Sequence, residues 1–362
     1  MKKTILIASG VILVIIITFI LLINNFYNKI YNPKLSQSIK KQEVIKKTSY
    51  NFLLLGYAGG NHQGTFLTDT IIIVHIDKKN KNVVLISVPR DVWVKIPNKS
   101  KEDFHVKINT VYQMGLYPKN YPDVNKSYTK ESSVGLLNYI IEQIIGLNID
   151  NYITVDFSGF VKAIDILGGV NVNVETAFDD IKYPIEGKED DLCGKEIAEQ
   201  GELEKIATKS PELAYPCRYE LIHFDEGSQI MTGEAALKFV RSRNSNQDGG
   251  DFGRAKRQQV LLEAVKEQVL SVGFIPKIIP LLDELSDHIE TDIPLEQMQK
   301  LLSELKNTND YTIKRIVITN NDYLDYSRSE DGQFILIPKA GIDKWSGVKK
   351  WINNSINPSQ QK

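Results

Sequence analysis

The sequence predicts an α/β domain whose sheet is flanked by helices on both faces, preceded by one N-terminal transmembrane helix. Three observations carry this. "NFLLLG" (51–56), "DTIIIVHI" (69–76) and "NVVLISVP" (82–89) are short apolar runs bounded by turn-forming residues, the pattern of strands covered on both faces. Strand and helix patterns then interleave along the chain, which favours helices on both sides of one sheet. Ahead of these, Ile5 to Ile23 supply 19 uncharged, mainly apolar residues.

As a helix that first run is about 28 Å long, enough to span a bilayer's hydrocarbon core. No small-x-small cleavage site follows it, so it reads as an uncleaved anchor rather than a signal peptide. Lys2 and Lys3 precede it, and Lys29, Lys34, Lys40 and Lys41 follow it, so charge alone does not set its orientation. The implied organisation is a cytoplasmic tip (1–4), the span (5–23), a polar, lysine-rich tether (24–48) and an extracytoplasmic domain (49–355). That domain has its core over 50–270 and a C-terminal α/β extension over 271–355.

Within the domain, a helix is expected from Ser132 as cap, through Leu137, Ile140, Ile141, Ile144 and Ile145, to Gly146 as stop. "NYITVDF" (151–157) reads as a strand, "SGFVKAIDILGG" (158–169) as a short helix ending in glycine, and "VNVNV" (170–174) as another strand. Beyond residue 290 come a helix in "TDIPLEQMQKLLSELK", a strand in "YTIKRIVIT" and a closing helix in "GVKKWINNSI".

Lys and Arg total 44 against 45 Asp and Glu. A chain with this balance has no global attraction to nucleic acid, so any anion site must be local. The densest positive charge lies in "RSRNSNQDGGDFGRAKRQQ" (241–259), where five basic residues surround an Asn, Gln, Asp and Gly loop. In the helix that follows, Arg254, Arg257 and Gln258 share the core-facing stripe with Leu261 and Val265, whereas Lys256 and Lys266 fit a solvated face. Inward guanidinium groups need carboxylates or a bound anion. The start of a helix also favours an anion.

Other motifs are excluded by their residues. "GYAGGNHQG" (56–64) matches neither a P-loop nor G-x-G-x-x-G. An EF-hand starting at Asn244 would have Ala255 where a bidentate acid belongs. Five scattered histidines form no Ser-His-Asp or Cys-His pattern. Cys193 and Cys217 bracket a polar, helical excursion and, with His223 the one nearby histidine, cannot complete a zinc site. They are either free buried thiols or, in an exported domain, a disulfide contributing about 3 kcal/mol. Arg90 and Asp91 follow a strand and a proline at a sheet end, where they are either a surface ion pair or part of a ligand site of the kind that collects there in α/β folds, and Asp69 opens the second strand as a ligand-site acid or a turn acceptor.

Taken together, "NFLLLG", "LTDTIIIVHID", "VVLISVPRDVWVKIP", "KINTVYQMG", "VDFSGFVKAIDILGGVNV", "GEAALKFVRSR" and "DFGRAKRQQ" occur in the order that resembles the LytR-CpsA-Psr family over roughly residues 50 to 270. These are membrane-anchored bacterial enzymes that attach polyprenyl-pyrophosphate-linked glycopolymers to the cell wall. The resemblance implies an elongated apolar pocket for the prenyl chain, with arginines at its mouth for the pyrophosphate. Arg90, Arg241, Arg243, Arg254, Arg257 and Gln258 match the pyrophosphate-binding positions, and Asp69 matches an acid that helps hold Mg2+. Asp69, Asp91 and Arg90 are the catalytic candidates, with either acid as base.

Two positions depart from the family pattern. Leu67 replaces an arginine and Ala58 replaces an acid, with His62 or Asp91 as substitutes. The implied activity is transfer of the glycopolymer to a peptidoglycan sugar hydroxyl with release of polyprenyl phosphate, at the outer face of the plasma membrane. The alternatives are a polyprenyl-diphosphate phosphohydrolase and a non-catalytic lipid-binding envelope regulator. The expected partners are the lipid-linked glycopolymer, peptidoglycan and membrane lipid, with no nucleic acid.

Overall fold

The computed structural model of the chain describes residues 21, 23–32, 47–60, 64–100, 102–128, 132–188, 190–196, 200–207, 210–270, 285–305 and 311–357. The span expected over 5–23 lies outside them except for residues 21 and 23, and His62 also lies outside. Among the described residues no helix is long and apolar enough to cross a membrane. Part of the stretch read as a tether is ordered: residues 23–30 are helical, and the buried Tyr27 accepts a hydrogen bond on its hydroxyl from Leu295 N at 3.0 Å. Residues 33–46 of that stretch are not among those described.

The chain divides into two compact units, Gly169–Lys266 and the combination of Met1–Gly168 with Glu267–Lys362. The larger unit begins with β1 (Ser49–Tyr57), β2 (Thr68–Asp77) and β3 (Asn82–Ser87), an antiparallel meander at the three expected places. Two three-residue strands, β4 (Trp93–Lys95) and β5 (His105–Lys107), pair with each other and lead into α1 (Ile108–Leu116). Helix α2 (Gly135–Ile145) starts later than expected: its N-cap is Val134, which makes no side-chain capping bond, and Ser132, expected as the cap, accepts on Oγ from Val134 N at 3.1 Å instead. Gly146 ends the helix at φ 74°, a left-handed conformation that glycine adopts without penalty. Then come β6 (Asn151–Asp156) and α3 (Phe157–Ile166), whose first turn is capped by Asp156 accepting from Gly159 N at 2.8 Å.

The smaller unit is built from β7 (Val170–Val174), β8 (Phe178–Pro184), α4 (Gln200–Ala207), α5 (Pro211–Ala214), β9 (Tyr219–Phe224), β10 (Gly227–Met231), α6 (Gly233–Arg241) and the first turns of α7 (Gly250–Leu270). Strands β7 and β10 form one antiparallel pair, and β8 and β9 another with an irregular register between Asp180 and Tyr183. Phe178, Phe224 and Phe239 pack ring against ring at its centre. The excursion between β8 and β9 is helical, as expected, and Cys193 is joined to Cys217 across it, with their Cα atoms 5.5 Å apart.

The chain then returns to the larger unit with β11 (Ile289–Thr291), α8 (Leu295–Leu305), β12 (Thr312–Val317), the hairpin β13 (Leu324–Arg328) and β14 (Phe334–Pro338), and α9 (Ser346–Ile356). The central sheet runs β11-β6-β1-β2-β3-β12, so the stretch expected as an extension supplies both outer strands. Side chains alternate across it. Tyr50, Phe52 and Ile76 point to one face, where Ile293, Met298 and Leu301 cover them. Leu53, Leu55 and Ile73 point to the other and are equally buried. A central sheet covered in this way by helices is the mixed α/β architecture expected, and it places the ends of β1, β2, β3 and β6 along one edge.

Candidate functional site

In the larger unit the site begins with a defect in the ladder. Gly56 pairs with Thr70 but Tyr57 pairs with Thr68, which leaves Asp69 as an extra residue of β2. Such a bulge bends the strand and re-aims a side chain. Asp69 accepts from Arg90, which comes from the turn after β3, and both side chains remain about a quarter exposed. Asp91, by contrast, is buried: Lys107 Nζ lies 2.7 Å from its Oδ1 and Arg90 Nε 3.7 Å from its Oδ2. Its backbone oxygen accepts from Leu336 N at 2.9 Å, so Asp91 is fixed on both sides. Tyr57 packs against Phe66 and Tyr112, and burial pushes its hydroxyl up to about 12, leaving it a neutral hydrogen-bonding group at physiological pH.

The donor set at this edge fits a hard cation only in part. Ala58 supplies no ligand, and Asp156, opposite Tyr57 on β6, has its oxygens engaged by Gly159 N and His288 Nδ1, each at 2.8 Å. Among the described residues the one group of three with ligand atoms close together is Asp191, Cys193 and Cys217, whose sulfurs are already joined. Asp69, which already accepts from Arg90, would be the carboxylate to hold magnesium, an ion that keeps several waters and takes its remaining ligands from substrate phosphates.

In the smaller unit the arginines divide into two kinds. Helix α6 ends at Arg241, and Ser242 leaves it in extended conformation (φ −52°, ψ 135°). Ser242 is 1% exposed and points inward. Its neighbours, Arg241 as the last residue of α6 and Arg243 just beyond it, keep 26% and 38% of their side chains exposed. Arg241 is 3.9 Å from Glu186 and lies over the Tyr183 ring, while Arg243 donates to Asp251 at 3.1 Å.

Arg254 and Arg257, on the stripe expected to face inward, are buried, and Lys256 is exposed. Arg254 pairs with Asp251 Oδ1 at 2.8 Å. Arg257, expected among the pyrophosphate ligands, uses all three of its nitrogens on main-chain acceptors instead: Nε on Phe239 O (3.1 Å), Nη1 on Asp248 O (3.0 Å) and Nη2 on Ser242 O. Burial lowers its pKa, opposed by Asp248 and Asp180. It thus caps the C-terminal end of α6 and fastens the 242–248 loop to α7. Gly253 is required for that fit, since a Cβ there would meet Asp248 O at 1.7 Å. Gln258 is half-buried, and its neighbour Gln259 is the fully buried glutamine.

Sequence reading missed one residue of this cluster. Asp180 on β8 is 0% exposed; its Oδ2 accepts from Ser242 Oγ (2.7 Å), Arg243 N and Asn244 N (both 3.0 Å), and its Oδ1 accepts from Lys182 N (3.0 Å). The signal was present: in "FDDIKYP" an acid shares the strand face of Phe178. A cleft of about 730 Å3 in the larger unit is lined by Ile96, Ile140 and Ile144 together with Lys95, Gln143 and Lys349.

Residues 17–342 match the LytR_cpsA_psr family, and the chain belongs to that family. The polyisoprenyl-teichoic acid–peptidoglycan teichoic acid transferase TagV of Bacillus subtilis (strain 168) is 27% identical over 292 residues, covering 79% of this chain and 61% of TagV. The chain thus spans less than two thirds of that relative. The crystal structure of B. subtilis TagV superposes with a TM-score of 0.56 at 25% identity, over 86% of this chain and 98% of that one. TagT bound to LIIa-WTA has the same fold, with a TM-score of 0.54 at 19% identity over 86% of this chain and 92% of that one.

Proposed function

We propose that this protein transfers a polyprenyl-diphosphate-linked glycopolymer to a sugar hydroxyl of peptidoglycan. Family membership supports the reading, as does the activity named for TagV. The observation in this chain that carries it is the Arg241-Ser242-Arg243 step, which presents two partly exposed guanidinium groups on a segment fixed by buried hydrogen bonds. Planar, permanently charged donors of this kind suit a diphosphate.

In the proposed reaction the hydroxyl oxygen attacks the polymer-side phosphorus. The new P–O bond replaces the bond to the bridging oxygen, which leaves on polyprenyl phosphate, and the hydroxyl proton passes to a carboxylate. Asp69 is the more accessible candidate, because Asp91 is buried and held by Lys107. When bound at Asp69, magnesium would neutralise phosphate charge, and the hydroxyl proton would then pass to Asp91, beside Lys107. The disulfide supports placement of the domain on the oxidising, extracytoplasmic side, tethered by the apolar N-terminal run.

The test is to incubate the full-length protein with a labelled lipid-linked oligosaccharide and wall fragments. Label moving to the wall supports transfer. Label released to solution indicates a phosphohydrolase, and label retained on the protein indicates a binding protein.

A further inference from the structure

We infer that Asp180 is a positioning residue that holds the Arg241–Asn244 segment in its anion-binding conformation; this rests on the reading of Arg241 and Arg243 proposed above. A carboxylate that is 0% exposed is tolerated only when hydrogen-bonded throughout, and Asp180 has four donors. Three of them belong to residues 242–244 and converge on a single oxygen. They capture the Ser242 hydroxyl and two consecutive backbone N–H groups at the point where α6 stops and the chain turns extended.

The fourth donor, Lys182 N, comes from the irregular stretch of β8 itself. Through these bonds Asp180 turns Ser242 inward and fixes the backbone of Arg243 and Asn244 directly after Arg241, the last residue of α6. Arg257 secures the same segment through Ser242 O, and Asp180 and Arg257 attract each other electrostatically. An uncharged residue at 180 would leave three donors converging on a weaker acceptor and release the segment without removing either arginine.

A purely structural role predicts the same loss in any background, whereas positioning predicts a loss that depends on the arginines. The experiment uses full-length protein and the labelled lipid-linked oligosaccharide, with Asp180→Asn made alone and in the Arg241→Ala/Arg243→Ala background. Alone, it should raise KM about tenfold, the factor that corresponds to about 1.4 kcal/mol of lost binding. In the double-alanine background it should change KM less than about twofold, with the same Tm shift in both. Equal factors in the two backgrounds, or no change in the wild-type background, overturn the inference.

If Asp180→Asn does not fold, Ser242→Ala, which removes one of the three bonds, replaces it under the same criterion. Wild-type KM in the double-alanine variant itself would instead refute the reading of the arginines, and the inference with it.

Discussion

Arg90 donates through Nη1 to Asp69 Oδ1, joining the turn after β3 to the bulged residue at the start of β2. The pair has a direct consequence for metal binding: a divalent ion at Asp69 must displace a guanidinium, and Ala58 adds no second carboxylate. Magnesium should therefore bind the protein weakly without lipid diphosphate, and Asp69→Asn should abolish what binding there is while leaving the fold intact. Ala58→Asp should tighten it. Calorimetry without lipid checks this, and tight binding that survives Asp69→Asn would put the ion elsewhere.

The two kinds of arginine should separate in mutants. Arg241→Ala should weaken binding of a diphosphate lipid by about 2 kcal/mol, the scale of a charge-assisted hydrogen bond, and leave the urea midpoint almost unchanged. Arg257→Ala leaves three main-chain acceptors without their buried donor, and should cost about 3 kcal/mol of stability. Urea unfolding beside lipid binding for both variants decides it; a fully stable Arg257→Ala with lost binding would return Arg257 to the ligand set.

These assignments show where sequence reading reached and where it stopped. The three apolar runs gave β1 to β3 because both of their faces are buried, and Gly146 marked a helix end because only its backbone conformation mattered. The inward stripe of Arg254 and Arg257 was also legible. What Arg257 meets was not, since its acceptors are carbonyls of Phe239, Ser242 and Asp248, which any side chain can carry. The bulge at Asp69 depends on register between two strands, and β4 and β5 are too short to show a period. Asp180 was passed over because an acid in a strand reads first as solvent-facing.

Stability should fall with rising pH through Asp292. Burial raises its carboxyl from 3.8 to about 6, against the opposing hydrogen bond from Tyr152 N. A raised folded pKa means the folded state holds the proton more tightly, so this contribution is complete below about 3.8 and is lost as pH rises through about 6. A shift of this size corresponds to about 3 kcal/mol. Urea midpoints of wild type against Asp292→Asn from pH 4 to 7 should diverge in that direction; a constant difference would contradict it.

Reduction of the Cys193–Cys217 bridge, with a sequence separation of 24, should lower stability by about 3 kcal/mol in the chain-entropy model. Alkylation of protein recovered from the envelope, under denaturing and non-reducing conditions, should find no free thiol. Two free thiols per chain would remove the support for an extracytoplasmic domain.

Phosphoryl transfer to the wall is read most directly from the stoichiometry of its two products. With a lipid-linked oligosaccharide labelled in both the prenyl chain and the sugar, one polyprenyl monophosphate should be released for each oligosaccharide fixed to wall fragments. Arg241→Ala should depress both products equally. Polyprenyl monophosphate released with the sugar label remaining soluble, whether or not wall is present, would contradict transfer.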